Sequence, residues 1–247
     1  MALFEGSVYS EALQMRTRLT VYLPVDNNPD MEGQKTLYLL HGLMDGCDSW
    51  LFNTNICRYA QEKNMAVIMP EGHRGFYSNI PLGGSYFTYI HEELPALCKK
   101  MFCINSSPER TMIAGNSMGG YGALKNFLTS PQNYGGGCFA FSPVISMEEL
   151  EKVLPNRKKD FDVRTIWSLD GAERKEDNLY ELARQFPKSL PGPYITCGTE
   201  DFLFPQNIDF HNFLIQNGIA HSFDQKPGIH EWQYWENALH EVFDRLT

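Results

Sequence analysis

The residue with the clearest chemical potential is Ser117, at the centre of a Gly-x-Ser-x-Gly pattern. Residues 115–122 read GNSMGGYG and follow the strand-like run RTMIAG. A serine held on a strained turn between a strand and a helix exposes its hydroxyl for attack on a carbonyl carbon. The pattern alone does not separate such a nucleophile from a serine in a glycine-rich loop. The interpretation therefore depends on whether the chain also supplies a base, an acid and donors for an oxyanion.

A base must accept the proton of Ser117 as its oxygen attacks, and histidine is the usual choice. The histidines that follow the serine are His211, His221, His230 and His240. Two of them fall inside predicted helices and one opens a predicted strand. His230 follows the last predicted strand, in a loop that can reach across the carboxyl edge of a sheet, and is the predicted base.

The acid that orients the imidazole should follow the preceding strand, because α/β-hydrolases use the chain order serine, acid, histidine. The run PYITCGTEDF ends that strand and offers Glu200 and Asp201. Either carboxylate can hold the tautomer and stabilise imidazolium. We predict Asp201 as the acid and Glu200 as its solvated neighbour.

Two backbone N–H groups should stabilise the negative charge that develops on the carbonyl oxygen. One is the N–H of Met118, directly after the serine. The other is expected from the run HGLMDGCDSW, where the N–H of Leu43 is the predicted donor and Gly42 and Gly46 allow the loop to turn. His41 is expected to order this loop by hydrogen bonding and not to take part in the chemistry.

The elements that must position these residues alternate between strands and helices. The opening residues predict a β-hairpin or a meander, and six further runs are typical of strands: KTLYLL, MAVIMP, RTMIAG, GCFAFSP, PYITCG and HSFDQKPG. Helical patterns separate most of them, including one long helix from Asp48 and one interrupted at Pro95. This order predicts an α/β fold whose eight-stranded, mostly parallel sheet is covered by helices on both faces.

Residues 144–191 break the alternation, because they are largely charged and helical in pattern with no clear strand. We predict one domain over 1–247, with 144–191 as a helical cap insertion over the active site; a solvated helical excursion is the alternative.

Composition excludes several other classes of function. The net charge is −9 and the isoelectric point is about 5.3, which argues against nucleic acid or an anionic membrane as partner. The start of the chain shows no signal peptide and no run is long enough to span a bilayer, so we expect a cytoplasmic protein. Six cysteines lack zinc-ligand spacing, and we expect neither a metal nor another cofactor.

Taken together, these motifs resemble the esterase D-like family of α/β-hydrolases. The resemblance is carried by LYLLHGLMDGCDSW, MPEGHRGFYSN, YFTYIHEELPALCKKMF, RTMIAGNSMGGYGALKNFL, CGTEDFL and GIHEWQYWENAL, in the expected order over about residues 35–240. It implies the α/β-hydrolase fold, with Ser117 as nucleophile, Asp201 as acid, His230 as base and Leu43 beside Met118 in the oxyanion hole.

The same resemblance bears on substrate. The compact length is similar to bacterial tributyrin and acetyl esterases, whereas S-formylglutathione hydrolases tend to carry a histidine where this chain has Tyr121. The block HRGFYSN suggests Arg74 and Tyr77 as pocket residues, with a plain surface loop as the alternative. Trp50 and Trp232 flank the site loops and are predicted either to form an apolar platform or to pack in the core.

The sequence therefore predicts a serine carboxylesterase for short-chain, acetyl-type esters of small alcohols or sugars. Alternatives are an S-formylglutathione hydrolase, a feruloyl esterase, an acyltransferase or, on the elbow alone, a prolyl-oligopeptidase-like peptidase. The expected partner is a small-molecule ester, and homo-oligomerisation is left open.

Overall fold

A single eight-stranded sheet organises the chain in the computed structural model, which describes residues 1–26, 33–104, 107–153 and 174–246. The strands are Ala2–Ser10 (β1), Met15–Leu23 (β2), Lys35–Leu40 (β3), Met65–Pro70 (β4), Thr111–Asn116 (β5), Gly137–Phe141 (β6), Tyr194–Gly198 (β7) and Ser222–Lys226 (β8). Their order across the sheet is β1-β2-β4-β3-β5-β6-β7-β8.

Strands β3 to β8 all run parallel, and the antiparallel β1–β2 hairpin is attached at one edge beside β4. The predicted eight-stranded, mostly parallel sheet is confirmed. Because parallel strands end on the same edge, the loops that follow β3, β5, β7 and β8 lie along one rim of the sheet.

Helices cover both faces of this sheet. They are Ser49–Asn53 (α1), Ile56–Glu62 (α2), Tyr86–Thr88 (α3), Leu94–Phe102 (α4), Met118–Thr129 (α5), Met147–Val153 (α6), Leu179–Gln185 (α7), Phe204–Gln216 (α8) and Trp232–Arg245 (α9). Side chains alternate between two core clusters: Tyr38 and Leu40 of β3 pack with α5, α7 and α8, whereas Leu37 and Leu39 pack with α2 and α9. This alternation explains why strands buried on both faces read as continuous apolar runs.

The one long helix predicted from Asp48 is wrong, because the segment forms two short helices, α1 and α2. Thr54 donates from Oγ1 to the Trp50 carbonyl (2.5 Å) and accepts from the Ile56 N–H (3.2 Å). A side chain that bonds the backbone on both sides in this way competes with helix continuation. Asp48 does precede α1, but its carboxylate accepts from Arg18 (3.1 Å) and makes no capping bond.

The interruption predicted at Pro95 takes the form of a π-helical turn. Residues Tyr89–Glu93 form this turn between α3 and α4, and Pro95 lies in the first turn of α4. Proline has no N–H to donate to the carbonyl four residues earlier in a helix. The wider π-helical turn before Pro95 lets the helix continue without that hydrogen bond.

The predicted cap falls partly outside the described residues. Its flanks are described and contain α6 and α7, whereas 154–173 lie outside, so the cap remains a prediction. None of the helices in the described ranges combines the length and the apolar character that a bilayer crossing requires.

The C-terminal flank of this region is joined to helix α5 by a buried ion pair. Lys125 of α5 lies beside the Asp177 carboxylate and donates to Ser78 (3.0 Å), while Arg174 donates from Nε to the other Asp177 oxygen (2.7 Å). Lys125 and Asp177 are both buried, and the Asp177 carbonyl accepts from the Tyr121 hydroxyl (2.6 Å). Burial lowers the pKa of Lys125, and the charge of Asp177 opposes this shift.

We expect Asp177→Asn to lower the free energy of unfolding by about 3–5 kcal/mol, because it leaves the buried Lys125 ammonium without its counter-ion. Urea unfolding at pH 7, followed by circular dichroism, measures this change. Glu181→Gln is the control, since it removes an exposed ion pair with Arg184 and should cost no more than about 1 kcal/mol. Equal effects of the two substitutions would contradict the structural role of the buried pair.

Candidate active site

Ser117 lies on a sharp turn between β5 and α5. Its backbone has φ 54° and ψ −116°, a conformation that a residue with a Cβ atom adopts only under strain. The turn is possible because its neighbours are glycines: a Cβ atom on Gly115 would lie 2.5 Å from the Gly119 backbone, and one on Gly119 would lie 2.3 Å from the Leu40 carbonyl. The Ser117 N–H donates to the Phe141 carbonyl of β6 (2.9 Å). The hydroxyl is thereby presented at the rim of the sheet.

Ser117, His230 and Asp201 form one hydrogen-bonded line. His230 Nε2 lies 2.9 Å from Ser117 Oγ, and His230 Nδ1 lies 2.8 Å from Asp201 Oδ2. The Asp201 carboxylate is buried, and its other oxygen accepts the N–H of Leu203 (2.8 Å). Because the carboxylate accepts the Nδ1 proton, Nε2 is free to accept the serine proton. This arrangement can activate a serine hydroxyl for attack on an acyl group.

Glu200 is hydrogen-bonded away from the imidazole. Its carboxylate accepts the N–H of Gly228 (2.6 Å), and its own N–H donates to the Gly228 carbonyl (3.1 Å). The Gly228 N–H bond lowers the pKa of Glu200. Glu200 therefore joins the loop after β7 to the loop that carries His230. Sequence reasoning described Glu200 only as a solvated neighbour and missed this contact.

The loop after β3 brings Leu43 next to the serine. In the described part of the chain, no acceptor is hydrogen-bonded to the N–H of Leu43 or of Met118. Leu43 lines the cavity beside Ser117, and Met118 follows Ser117 as the first residue of α5. His41 Nδ1 lies 2.7 Å from the Gly42 carbonyl, and its Nε2 accepts the Gly72 N–H (2.8 Å). His41 thus holds two loops together by hydrogen bonds.

Glu71 is the second group that holds this loop. Its carboxylate accepts from the N–H groups of Cys47 (3.3 Å) and His73 (3.0 Å), and it lies 3.1 Å from His41 Nε2. Burial alone would raise the pKa of Glu71, but the hydrogen bond and the charge that His41 supplies when its imidazole is protonated, together with the two backbone donors, outweigh burial and lower that pKa to about 2.

A cavity of about 460 Å³ opens beside the serine. Its walls are Gly42, Leu43, Met44, Asp45, Phe76, Asn116, Ser117, Val144, Leu150, Phe202, His230, Glu231, Trp232 and Trp235. Aromatic rings bracket the imidazole: those of Phe202 and Trp235 lie 4.5 Å and 4.9 Å from the His230 ring. Val144 and Leu150, from the N-terminal flank of the predicted cap, form part of the apolar wall.

Of the four predicted pocket residues, only Trp232 lies in the cavity wall. Trp50 is fully buried, donates to the Leu40 carbonyl (3.1 Å) and packs edge-on against Trp232, so it supports the wall from behind. Tyr77 is fully buried and donates to the His41 carbonyl (3.0 Å), and Arg74 is exposed outside the cavity. The structure thus agrees with the core alternative for Trp50 and with the surface alternative for Arg74, and it places Tyr77 in the core, outside the described cavity wall.

Sequence reasoning missed several wall residues that lie within its own motifs. Asn116 is part of the quoted elbow, Phe202 follows the predicted acid, and Trp235 follows the predicted base. Their proximity to functional residues was the available signal. In the described ranges, no group of three histidine, cysteine or acidic side chains is placed to hold a metal ion.

The lowered pKa of Glu71 predicts a pH-dependent loss of stability in Glu71→Gln. The folded pKa of about 2 is below the ordinary value of 4.5, so the ionised carboxylate stabilises the fold fully above pH 4.5 and progressively less as the pH falls toward 2. Urea unfolding should show a deficit of about 3 kcal/mol in Glu71→Gln at pH 7. The deficit should shrink in measurements at pH 4 and 3; a deficit that stays constant over this range would contradict the assignment.

Three comparisons place the chain among known proteins. The family model described as "Putative esterase" matches residues 10–246. An acetyl esterase of Caldicellulosiruptor saccharolyticus is 30% identical, over 100% of this chain and 98% of that protein. Among solved structures, the fluorophosphonate-binding serine hydrolase F of Staphylococcus aureus has 29% identity and a TM-score of 0.85, with 99% and 98% of the two chains covered.

The S-formylglutathione hydrolase of Staphylococcus aureus is also similar, with 30% identity, a TM-score of 0.82 and the same coverage of 99% and 98%. These likenesses confirm the predicted α/β-hydrolase fold and the predicted class of enzyme, a serine carboxylic ester hydrolase. On the match of its family model over nearly the whole chain, this protein belongs to the Putative esterase family.

Proposed function

We propose that this esterase hydrolyses short-chain acyl esters, acetyl esters in particular, of small alcohols or sugars. The observation that carries the proposal is the position of His230, 2.9 Å from the Ser117 hydroxyl and 2.8 Å from the buried Asp201 carboxylate. In this proposal Ser117 is the nucleophile, His230 the general base and Asp201 the acid that orients it.

The reaction proceeds through an acyl-enzyme. Ser117 Oγ attacks the ester carbonyl carbon while His230 Nε2 takes its proton, and the resulting oxyanion accepts from the N–H groups of Leu43 and Met118. Collapse of this intermediate breaks the bond to the alcohol, and imidazolium protonates the leaving alkoxide. Water then attacks the acyl carbon, His230 takes a proton from it, and the carboxylic acid is released as Ser117 recovers its proton.

The shape of the cavity supports a short acyl group. The bulky rings of Phe202, Trp232 and Trp235 form part of its wall and limit the width available to the acyl group. The 30% identical relative from Caldicellulosiruptor saccharolyticus is named an acetyl esterase, which supports the same assignment.

S-Formylglutathione hydrolysis is the second candidate, favoured by the 30% identical Staphylococcus aureus hydrolase of that name. Two observations weigh against it. The described cavity wall contains the acidic residues Asp45 and Glu231 and no lysine or arginine, whereas glutathione carries two carboxylates. In addition, Tyr121, which stands where formylglutathione hydrolases tend to have histidine, is buried and hydrogen-bonded to the Asp177 carbonyl.

We propose that the enzyme acts in the cytoplasm on small-molecule esters, and the six cysteines, all free thiols, are consistent with a reducing compartment. Fractionation of cells with an antibody against the chain tests this location.

We expect kcat/KM on p-nitrophenyl esters to be highest from acetate to butyrate and to fall at least about tenfold by octanoate, because the rings of Phe202, Trp232 and Trp235 restrict the room for a longer acyl chain. Steady-state hydrolysis of the series measures this profile, with S-formylglutathione as a parallel substrate. A preference for octanoate, or for the thioester over every acetyl ester, would contradict the proposal.

Substitutions in the hydrogen-bonded line should abolish turnover without loss of the fold. We expect Ser117→Ala and His230→Ala each to lower kcat by several powers of ten, and Asp201→Asn to lower it about 10⁴-fold. Glu200→Gln is the matched control, because it removes the charge of the adjacent carboxylate while its amide oxygen can still accept the Gly228 N–H, so activity should stay within about threefold. If Glu200→Gln were the damaging change of the two, the proposed acid would be wrong.

A further inference from the structure

Strand β1 forms an open edge of the sheet. It has β2 on one side and, among the strands in the described ranges, no neighbour on the other. All nine residues of β1 pair one to one with β2, so no bulge bends the edge away. The outward N–H and C=O groups of such a strand can pair with another strand, which proteins normally prevent with bulges, prolines or lysines. The sequence of β1, ALFEGSVYS, contains neither proline nor lysine and has one charged residue, Glu5.

The opposite edge of the same sheet is protected. Strand β8 has five residues, SFDQK, and two of them are charged. Asp224 accepts from the Tyr194 hydroxyl (2.9 Å) and from Arg245 (3.0 Å), and Lys226 forms an ion pair with Glu241. A short edge strand with charged side chains resists pairing with a second sheet. The contrast between the two edges indicates that β1, unlike β8, is covered by another strand.

Exposed apolar side chains lie on both faces of β1. Leu3, Phe4 and Tyr9 are 45%, 47% and 49% exposed. Leu3 and Tyr9 share one face, because side chains alternate along a strand, and Phe4 lies on the other, where its ring packs against Phe102 of α4 (5.3 Å). A strand added at this edge would remove part of all three side chains from water. The edge therefore offers backbone hydrogen bonds and apolar burial to the same strand.

The sequence of β1 is complementary to itself. When two copies of β1 pair antiparallel so that all nine residues are matched, the two-fold axis passes through Gly6. Leu3 then lies opposite Tyr9 of the second copy, and Phe4 lies opposite Val8 of the second copy. Cross-strand pairs between an aromatic ring and an aliphatic side chain stabilise antiparallel sheets. Each pair occurs twice, as a two-fold symmetric interface requires.

The charges at this edge fit the same register. Glu5 lies opposite Ser7 of the second copy, and within its own chain Ser7 is paired with Arg18 of β2, whose side chain is 56% exposed. Strands are about 4.8 Å apart, so the Cα atoms of Glu5 and of Arg18 in the second copy are about 10 Å apart, and their long side chains can meet over the small serine. Complementary side chains and charges together make a second copy of this chain the occupant that fits.

We propose that β1 pairs antiparallel with β1 of a second copy, so that two eight-stranded sheets join into one continuous sheet in a two-fold symmetric dimer. Backbone hydrogen bonds and apolar side-chain pairs on either side of Gly6 hold the two copies together. Strands β2, β4 and β3 lie between β1 and β5, so the interface is remote from Ser117 and each copy keeps its own cavity. The dimer does not depend on the proposed function, and its tests use no measurement of activity.

Sedimentation equilibrium of the full chain measures the association. We expect the mass to rise with concentration to twice the chain mass of 28.3 kDa and no further, because each copy has one β1 edge and pairing occupies it. Leu3→Lys and Tyr9→Lys should each raise the dissociation constant at least about tenfold, since each places two ammonium groups in an apolar contact. Ile215→Lys is the control, because Ile215 is 58% exposed on α8, which packs beside β7, and its substitution should leave the dissociation constant unchanged.

Disulfide formation between copies tests the register. In a Cys103→Ser background, which removes an exposed native thiol, Gly6→Cys places two thiols across the axis, where opposed Cα atoms are about 4.5–5.5 Å apart and within disulfide reach. No atom lies within 4 Å of the Cβ position of Gly6, so the new side chain has room. Ser7→Cys is the matched control, because its Cα atoms in the two copies are about 8 Å apart and cannot be bridged. Oxidation should give a covalent dimer on a non-reducing gel for Gly6→Cys and none for Ser7→Cys.

Each contrary result overturns the proposed pairing. A wild-type chain that stays monomeric up to on the order of 100 µM has no such interface. A dimer whose dissociation constant is unchanged in Leu3→Lys and Tyr9→Lys uses another surface, and a mass beyond two copies or crosslinking of Ser7→Cys contradicts the two-fold register. Circular dichroism identifies a variant that fails to fold, in which case the other lysine variant and the cysteine pair decide. A dimer without esterase activity would overturn the proposed function and leave the pairing of β1 intact.

Discussion

The positive φ of Ser117 is the constraint on which the arrangement of the site depends. At φ 54° the chain reverses sharply between β5 and α5, and only glycines at 115 and 119 allow the strand, the helix and the end of β3 to approach so closely. The surrounding sheet stabilises this strained turn, because the Ser117 N–H donates to the Phe141 carbonyl of β6. The consequence of the turn is that Ser117 borders the cavity at the rim of the sheet, directly before the first residue of α5.

Carboxylates that bond to backbone N–H groups set the loops around this turn. Glu71 holds the loop after β3, and Glu200 joins the loop after β7 to the one that carries His230. At the far edge of the sheet, Glu93 performs the same task for the hairpin turn, where it accepts the N–H groups of Glu11 and Ala12 and the Ser10 hydroxyl. An ionised carboxylate suits this role because it accepts several donors at once.

The site divides into a positioning part and a recognition part. The hydrogen-bonded line from Asp201 to Ser117 suits acyl transfer from any ester that fits, and it says little about substrate. Selectivity must come from the cavity wall, where aromatic and aliphatic residues limit size.

Much of the fold could be predicted from the sequence, because a parallel sheet leaves a strong local signal. Strands buried on both faces read as apolar runs, and the elbow motif joins one of them to a helix. The apolar spacing predicted the wrong helix boundaries where a side chain bonds the backbone. Thr54 divides a helix whose apolar pattern is continuous, and the spacing of residues does not reveal its two hydrogen bonds to the backbone. The choice between Glu200 and Asp201 could be argued from the residues, but the contact of Glu200 with Gly228 could not.

The sequence by itself thus determined the order and type of the elements and the residues able to do chemistry, since both depend on local pattern and residue type. Only the tertiary structure decided which side chains share the cavity. Trp50 and Tyr77 are near the site in sequence yet are directed to the core, whereas Asn116, Phe202 and Trp235 meet from three separate loops and elements. The physical reason is that a cavity wall is formed by residues distant in the chain, and the direction of each side chain is set by packing that no local pattern records.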